Sequence, residues 1–452
     1  MVETATVQSL PVRFAGEGSG VEELTWGQRA AWASMQIGGE ADWAGGTMPL
    51  PGGHTVGEFA TLLAFVMSRH QSLRTRFRSD PSDPSGQPQQ VLAGDGEIAL
   101  DVVEAGGRDP EAVAAQVREG YEAAPYDPEH DWPVRMAVIC RDGTPAWFVA
   151  LYSHMAIDGY GIEALQADLD NLDRARGLAL APAEGIQPME LARAQRSRSA
   201  LRQQGAALRQ WERQLRTIAP QRFPPVPAPP APRYWEASYS SPATYLALDE
   251  VAARTRVHSG TILLAAFAVV LGRVSGEPLS VVRTLVSNRF RPGFKSAVAG
   301  LAQSALCVID GTGPFGEVVR RAFAAQLAAG MHAYYDPREL WALIDRVAAE
   351  RACEFDLQCY FNDRRRTLAQ SPGRVTVTSA ELSAALPKSS LRWGRKSNTP
   401  DSTCYLHVNA VPDTIDLTLR VDTHRVSPDD LVNCLRGIEE VVVNTALSSH
   451  LA

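Results

Sequence analysis

The polar and apolar positions alternate at two different periods along this chain, and the two are interleaved. Val56, Phe59, Leu63 and Val66 recur at helical spacing behind Thr55-Val56-Gly57-Glu58, whose first and last residues have capping-box spacing. Val134 to Cys140 reads as a strand, Asp142-Gly143 as a turn, and Trp147 to Tyr152 as the returning strand. Ile162 to Leu172 predicts a helix. Thr261 to Gly272 predicts an apolar helix with Ser259 as its N-cap, and the β-branched run Leu279 to Val286 predicts a buried strand. Leu191 to Leu215, dense in Arg, Gln and Ala, predicts a long, mostly exposed helix. Seven prolines between Pro220 and Pro232 then predict a stiff extended connector. Both element types run throughout, so the expected fold class is α/β (α+β). The expected division is an N-terminal domain over 1–178 and a C-terminal domain over 179–452 that includes the linker helix and the connector 220–232.

Composition changes this picture little. Of the 452 residues 45% are hydrophobic and 21% charged, as in an ordinary globular protein, and the length suffices for more than one core. A formal net charge of −7 argues against nucleic acid or an anionic membrane surface as a partner. The first twenty residues lack a basic start and an apolar core, and Ile262–Leu271 is too short to span a bilayer, so a cytoplasmic protein is expected. Six cysteines without CxxC pairs or a His cluster point to reduced thiols and no metal site. Gly16-Glu17-Gly18 follows no strand and is a weak signal for a phosphate loop.

The informative run is Ser153-His154-Met155-Ala156-Ile157-Asp158-Gly159, between the second strand and the helix. A histidine at the end of a buried strand is held rigidly, and with an ordinary pKa of about 6.5 its neutral ring accepts a proton at working pH. Asp158 is placed to anchor the turn through a cation, or simply to cap the helix. Gly159 admits close backbone approach to a ligand, or serves with Gly161 only as a turn residue. A satisfied core histidine remains open for His154 on this run alone.

Several further segments, in order, carry a resemblance. Leu24-Thr25-Trp26-Gly27-Gln28-Arg29-Ala30-Ala31-Trp32 resembles the opening motif of the condensation domains of nonribosomal peptide synthetases, and Arg69-His70-Gln71-Ser72-Leu73-Arg74-Thr75-Arg76-Phe77 is similar to their second. Ala124-Pro125-Tyr126-Asp127 with Pro133-Val134-Arg135, Thr261 to Gly276 with Ser287-Asn288-Arg289, and Ala333-Tyr334-Tyr335-Asp336-Pro337 resemble later parts, so that the likeness runs from about residue 22 to 440. The resemblance implies two chloramphenicol acetyltransferase-like lobes in a V-shaped pseudo-dimer with a central tunnel and His154 at its middle. It also implies transfer of an acyl or aminoacyl group from a carrier-protein thioester to an amine or hydroxyl acceptor, with Asp158 structural and paired to Arg289. Where the family usually has a first histidine, this chain has Ser153. Strand alternation puts Ser153 and His154 on opposite faces, so the departure touches support rather than chemistry.

The expected enzyme is a monomer with no bound cofactor. Its donor rides on the phosphopantetheine arm of an acyl or peptidyl carrier protein supplied in trans. An acyl-coenzyme A donor, or a degenerate platform that recruits other enzymes, are the alternatives. Met155, Tyr160, Tyr360 and Asn362 are substrate-binding candidates by position. Asp363-Arg364-Arg365-Arg366 and Arg392-Trp393-Gly394-Arg395-Lys396 are candidate docking surfaces for an acidic carrier.

Overall fold

The computed structural model describes residues 6–38, 42–79, 86, 88–365 and 377–448. In chain order the elements of the first half are β1 (Thr6–Ala15), β2 (Gly20–Glu23), α1 (Trp26–Gly38), β3 (Trp43–Pro49), α2 (Val56–Arg69), β4 (Thr75–Arg78), β5 (Gln89–Leu92), β6 (Asp95–Glu104), α3 (Pro110–Ala123), β7 (Val134–Arg141), β8 (Thr144–Ser153), α4 (Gly159–Asp168), β9 (Leu172–Asp173), β10 (Leu178–Ala179), α5 (Pro188–Gln195) and α6 (Arg198–Thr217). The second half adds β11 (Tyr234–Ser241), α7 (Pro242–Thr255), α8 (Ser259–Ser275), β12 (Leu279–Val286), β13 (Gln303–Asp310), α9 (Phe315–Met331), α10 (Pro337–Glu350), β14 (Cys359–Asp363), α11 (Ser379–Ala385), β15 (Ser390–Ser397), β16 (Cys404–Asn409), β17 (Ile415–Asp422) and α12 (Pro428–Leu447). The fold is mixed α/β, as expected.

Two compact units emerge, and neither is one continuous stretch. The first comprises Met1–Arg202 and Ser287–Gln303, the second Gln203–Val286 and Ser304–Ala452. The expected division at 178/179 is thus displaced to 202/203, and a short later segment returns to the first unit.

The first unit is built on the five-stranded sheet β1-β6-β7-β8-β3, antiparallel except where β6 runs parallel to β7. Central β7 is apolar at nearly every position because both its faces are covered. Met136 and Val138 pack with Phe59, Leu63 and Val66 of α2, whereas Ala137 and Ile139 pack with Val113 and Ala114 of α3. The capping box at Thr55 and Glu58 is formed as read. Val298, from the returning segment, joins the α2 side of this core with Ile157 and Leu165.

The second unit carries the seven-stranded sheet β13-β12-β14-β16-β17-β11-β15. Helix α8 is apolar all round and fully enclosed from Gly260 to Ala268, the position of a core helix. Among the described residues no single helix is long and apolar enough to cross a membrane. The cap of α8 is His258, whose ring Nδ1 accepts from the Gly260 N–H at 3.1 Å; the helix therefore starts two residues before the expected Thr261, and Ser259 is inside it. The expected exposed helix 191–215 is two helices, α5 and α6. Ala207, Trp211 and Leu215, four apart, form a buried stripe on α6 packed with Tyr335 and Leu340. Charge density had masked that stripe.

Arg365 is tied to Asp363 by contacts of 2.9 and 2.7 Å, so that carboxylate offsets part of the run's positive charge, and Arg364 lies 3.2 Å from Nε2 of His407. Arg366 lies outside the described residues. Arg392, Trp393, Arg395 and Lys396 are exposed on edge strand β15, where the Lys396 ammonium sits 3.2 Å from the Trp235 ring centroid. All six cysteines are free and all but Cys353 are buried.

Candidate active site

Strand β8 ends at Ser153, and the chain then tightens into a turn. The N–H groups of Ala156 and Ile157 both donate to the Ser153 carbonyl, at 2.9 and 3.2 Å. This turn folds the His154 ring back on its own backbone, so that Nδ1 lies 3.1 Å from the Ile157 carbonyl oxygen. A carbonyl can only accept, which places the proton on Nδ1 and leaves the Nε2 lone pair free in the neutral ring. The His154 side chain is 35% exposed. A sealed core histidine would be neither accessible nor oriented in this way.

Ser153 takes the opposite face. It is 1% exposed, and its hydroxyl accepts from the Met155 N–H at 3.3 Å. Beside it lies Tyr126, whose phenol burial pushes well above its ordinary value, with the Ser153 hydroxyl acting more weakly the other way.

Asp158 is both of the things its sequence position allowed. It caps α4, accepting from the Gly161 N–H at 2.7 Å, so the helix starts at Gly159 rather than the expected Ile162. Its Oδ2 also accepts from the backbone N–H groups of Leu301 and Ala302 at 2.7 and 2.8 Å. Arg289 completes the set, with Nη1 3.1 Å from Oδ2 and Nη2 3.0 Å from Oδ1, and both side chains are 10% exposed. The Arg289 Nη2 donates as well to the carbonyls of Ala297 and Ala299, each at 3.1 Å. Asp158 is thus a buried anchor that fastens 287–303 to the turn after His154, with no free oxygen for chemistry.

Glycines make this fastening possible. A Cβ on Gly161 would come 2.5 Å from Ile157 and 2.8 Å from the Ala299 carbonyl, and one on Gly27 would come 2.1 Å from the Gly300 carbonyl. Gly159, in contrast, faces open space. The far end of α4 is held by Asp168, which pairs with Arg69 through both Nε and Nη2 (the latter at 2.9 Å) and lies 3.0 Å from Nε2 of His70. Burial alone would raise the Asp168 carboxyl; hydrogen bonds from His70 and then Arg69 outweigh it and hold the group far below its ordinary value.

Ser153, His154, Asp158, Gly159 and Arg289 are therefore gathered in one unit. Tyr160 is there too, 45% exposed, with the Arg289 guanidinium 5.8 Å from its ring centroid. Met155 is 2% exposed and packs with Leu24 and Phe77, the surroundings of a core side chain rather than of a pocket wall. Tyr360 and Asn362 belong to the second unit, on β14, where the Tyr360 hydroxyl accepts from Arg283 at 2.8 Å. The Gly16-Glu17-Gly18 loop binds the buried Arg74 guanidinium through the carbonyls of Glu17 and Gly18. Its backbone thus presents acceptors, the opposite of a phosphate cradle. Sequence reasoning missed Gly27, although it lies in a quoted motif, and Asp42, whose carboxylate lies 3.8 Å from Nε2 of His154 and which no local signal marks.

Residues 47–381 match the condensation-domain family. Curated relatives include cyclosporin synthetase of Tolypocladium inflatum, 26% identical over 62% of this chain but 2% of its own length. Isonitrile lipopeptide synthase of Mycobacterium tuberculosis is 26% identical over 64% of this chain and 12% of its own length. The chain thus spans only a small part of the relatives it matches. Among solved structures, the condensation domain of the monacolin K polyketide synthase MokA aligns at a TM-score of 0.72 with 17% identity, covering 96% of this chain and 100% of that one. The X-domain from teicoplanin biosynthesis aligns at 0.70 with 19% identity, covering 96% and 97%.

Proposed function

The chain belongs to the condensation-domain family, and from that premise we propose that it transfers an acyl or aminoacyl group from a carrier-protein thioester to an amine or hydroxyl acceptor in natural-product biosynthesis. The observation that carries this reading is the orientation of His154: Nδ1 is committed to the Ile157 carbonyl and Nε2 is left as a partly exposed proton acceptor. A thioester is already activated, so the protein must position the acceptor and manage one proton. No nucleophilic side chain is required, and no covalent acyl-enzyme is expected. The phosphopantetheine arm of the carrier presents the donor. Arg392 and Arg395 on the exposed edge strand β15 offer positive charge to an acidic carrier and would speed encounter.

One observation favours a second reading, a recruitment platform without turnover. Ser153 stands where the family usually has its first histidine, and the similarly folded X-domain is found in complex with OxyB. The intact anchor around Asp158 and the oriented His154 ring support turnover instead.

The test offers hexanoyl-carrier protein and hexanoyl-coenzyme A, each with a panel of amine and hydroxyl acceptors, and follows product by mass. Transfer from the carrier, with His154→Ala slower by about 10²–10⁴-fold, is the expected result. Preference for coenzyme A would move the donor class, and binding of either thioester without product would favour recruitment.

A further inference from the structure

The register of the first unit's sheet brings a second ionisable group to the His154 ring. Antiparallel pairing of β3 with β8 sets Trp43 opposite Ser153. One step further along both chains Asp42 meets His154, and the His154 N–H donates to the Asp42 carbonyl at 3.0 Å. Directly opposed residues project to the same face. The Asp42 carboxylate accordingly lies 3.8 Å from Nε2 while remaining 64% exposed. The start of β3 is held firmly, with the Trp43 ring edge-on to Tyr126 at 5.2 Å and the Arg135 guanidinium 4.4 Å from its face.

At 3.8 Å the two groups are not hydrogen-bonded to each other. Nor do they have reason to be, since with the proton on Nδ1 both Nε2 and the carboxylate are acceptors. Two acceptors flanking one space call for a donor with at least two hydrogens. A primary amine has them, and a hydroxyl has one.

We propose that Asp42 is a specificity-determining residue that makes this site selective for amine over hydroxyl acceptors. The inference rests on the acyl-transfer reading above and narrows it. As the neutral amine attacks the thioester carbonyl, the N–C bond forms and the C=O π pair moves to oxygen. The nitrogen becomes positively charged, with one N–H held by Nε2 and the other by the Asp42 carboxylate, which opposes that charge. Nε2 then takes one proton, the C–S bond breaks, and the departing thiolate takes the proton back from the imidazolium. The products are an amide, which keeps the second hydrogen, and a thiol. A hydroxyl would give its only proton to Nε2 and develop negative character against the carboxylate.

The test is a competition between 2-phenylethylamine and 2-phenylethanol for a hexanoyl-phosphopantetheine thioester, with amide and ester quantified together for wild type, Asp42→Asn, Asp42→Glu and His154→Ala. Comparing variants cancels the intrinsic reactivities of the two acceptors. Asp42→Asn should lower the amide-to-ester ratio by about tenfold, chiefly through kcat for the amine, and Asp42→Glu should restore most of it at unchanged melting temperature. An unchanged ratio in Asp42→Asn, with both products still dependent on His154, would overturn the selectivity and leave acyl transfer standing. Wild-type protein that yields neither product from any thioester overturns both.

Discussion

His154 and Ser153 are neighbours in sequence but not in environment. One presents a lone pair to accessible space, and the other is sealed at the sheet's far face with its oxygen serving the Met155 N–H. Truncation should separate them. His154→Ala removes the proton acceptor and little packing, so single-turnover transfer should fall by about 10²–10⁴-fold with the melting temperature nearly unchanged. Ser153→Ala removes one supporting hydrogen bond, costing about 1 kcal/mol, and should leave most of the turnover. Ser153→His should gain no second base and lose stability by crowding a site shaped for a small side chain. Equal inactivity of Ser153→Ala and His154→Ala at equal stability would mean that the serine takes part in chemistry. The opposite facing of these two was legible in the sequence because strand alternation is a local property. Met155 was not, because alternation stops where the turn begins. Asp42 was not either, since only the pairing of β3 with β8 brings it to the ring.

Helix α4 is pinned at both ends, and the two pins differ in kind. At its start a buried carboxylate holds an arginine and three backbone N–H groups, so removing one partner strands the others. Arg289→Ala should cost about 3–5 kcal/mol, read from denaturant midpoints, and lower turnover with it. Gly161→Ala should do comparable damage to activity, because its Cβ would wedge Ile157 from the Ala299 carbonyl while leaving every charge in place. If Gly161→Ala were as stable and active as wild type, the close approach would not matter. At the other end, Asp168 is more acidic folded than unfolded. Its stabilisation is therefore complete above the ordinary carboxylate value of 3.8 and is lost as pH falls below it. Asp168→Asn should cost about 1–2 kcal/mol at neutral pH, and its gap from wild type should narrow between about pH 4 and pH 2. A gap that stayed constant over that window would remove the charge from the explanation. The existence of this helix was readable in the sequence, but its first turn was not: the capping residue is also the anchor, and the glycines after it look like loop.

On the scale of the whole chain, the expected division at 178/179 differs in extent from the compact units, which divide at 202/203 with 287–303 returning to the first, and the difference has a physical reason. Composition marks linkers by proline and charge, but here the charged stretch 191–215 straddles the 202/203 boundary and the proline run lies inside the second unit. The decisive feature is instead a short segment, 287–303, that belongs to the first unit although 84 residues of the second precede it. It supplies Arg289, the Leu301 and Ala302 N–H groups and the apolar Val298 to a site whose histidine lies in the earlier stretch. The first unit thus cannot be completed by contiguous chain. A fragment ending at Arg202 would leave the Asp158 carboxylate without its cation and two of its three N–H donors, and would open one edge of the α2 core. Such a fragment should melt well below the intact protein, and backbone amides of the 153–161 turn should exchange far faster with solvent than in the full chain. Supplying residues 287–303 through a short flexible linker should restore protection at that turn ahead of the rest, because the contacts returned are concentrated there. A fragment as protected at 153–161 as the full chain would show that the turn after His154 is organised locally, and Asp158 would then be only the helix cap that its sequence position first suggested.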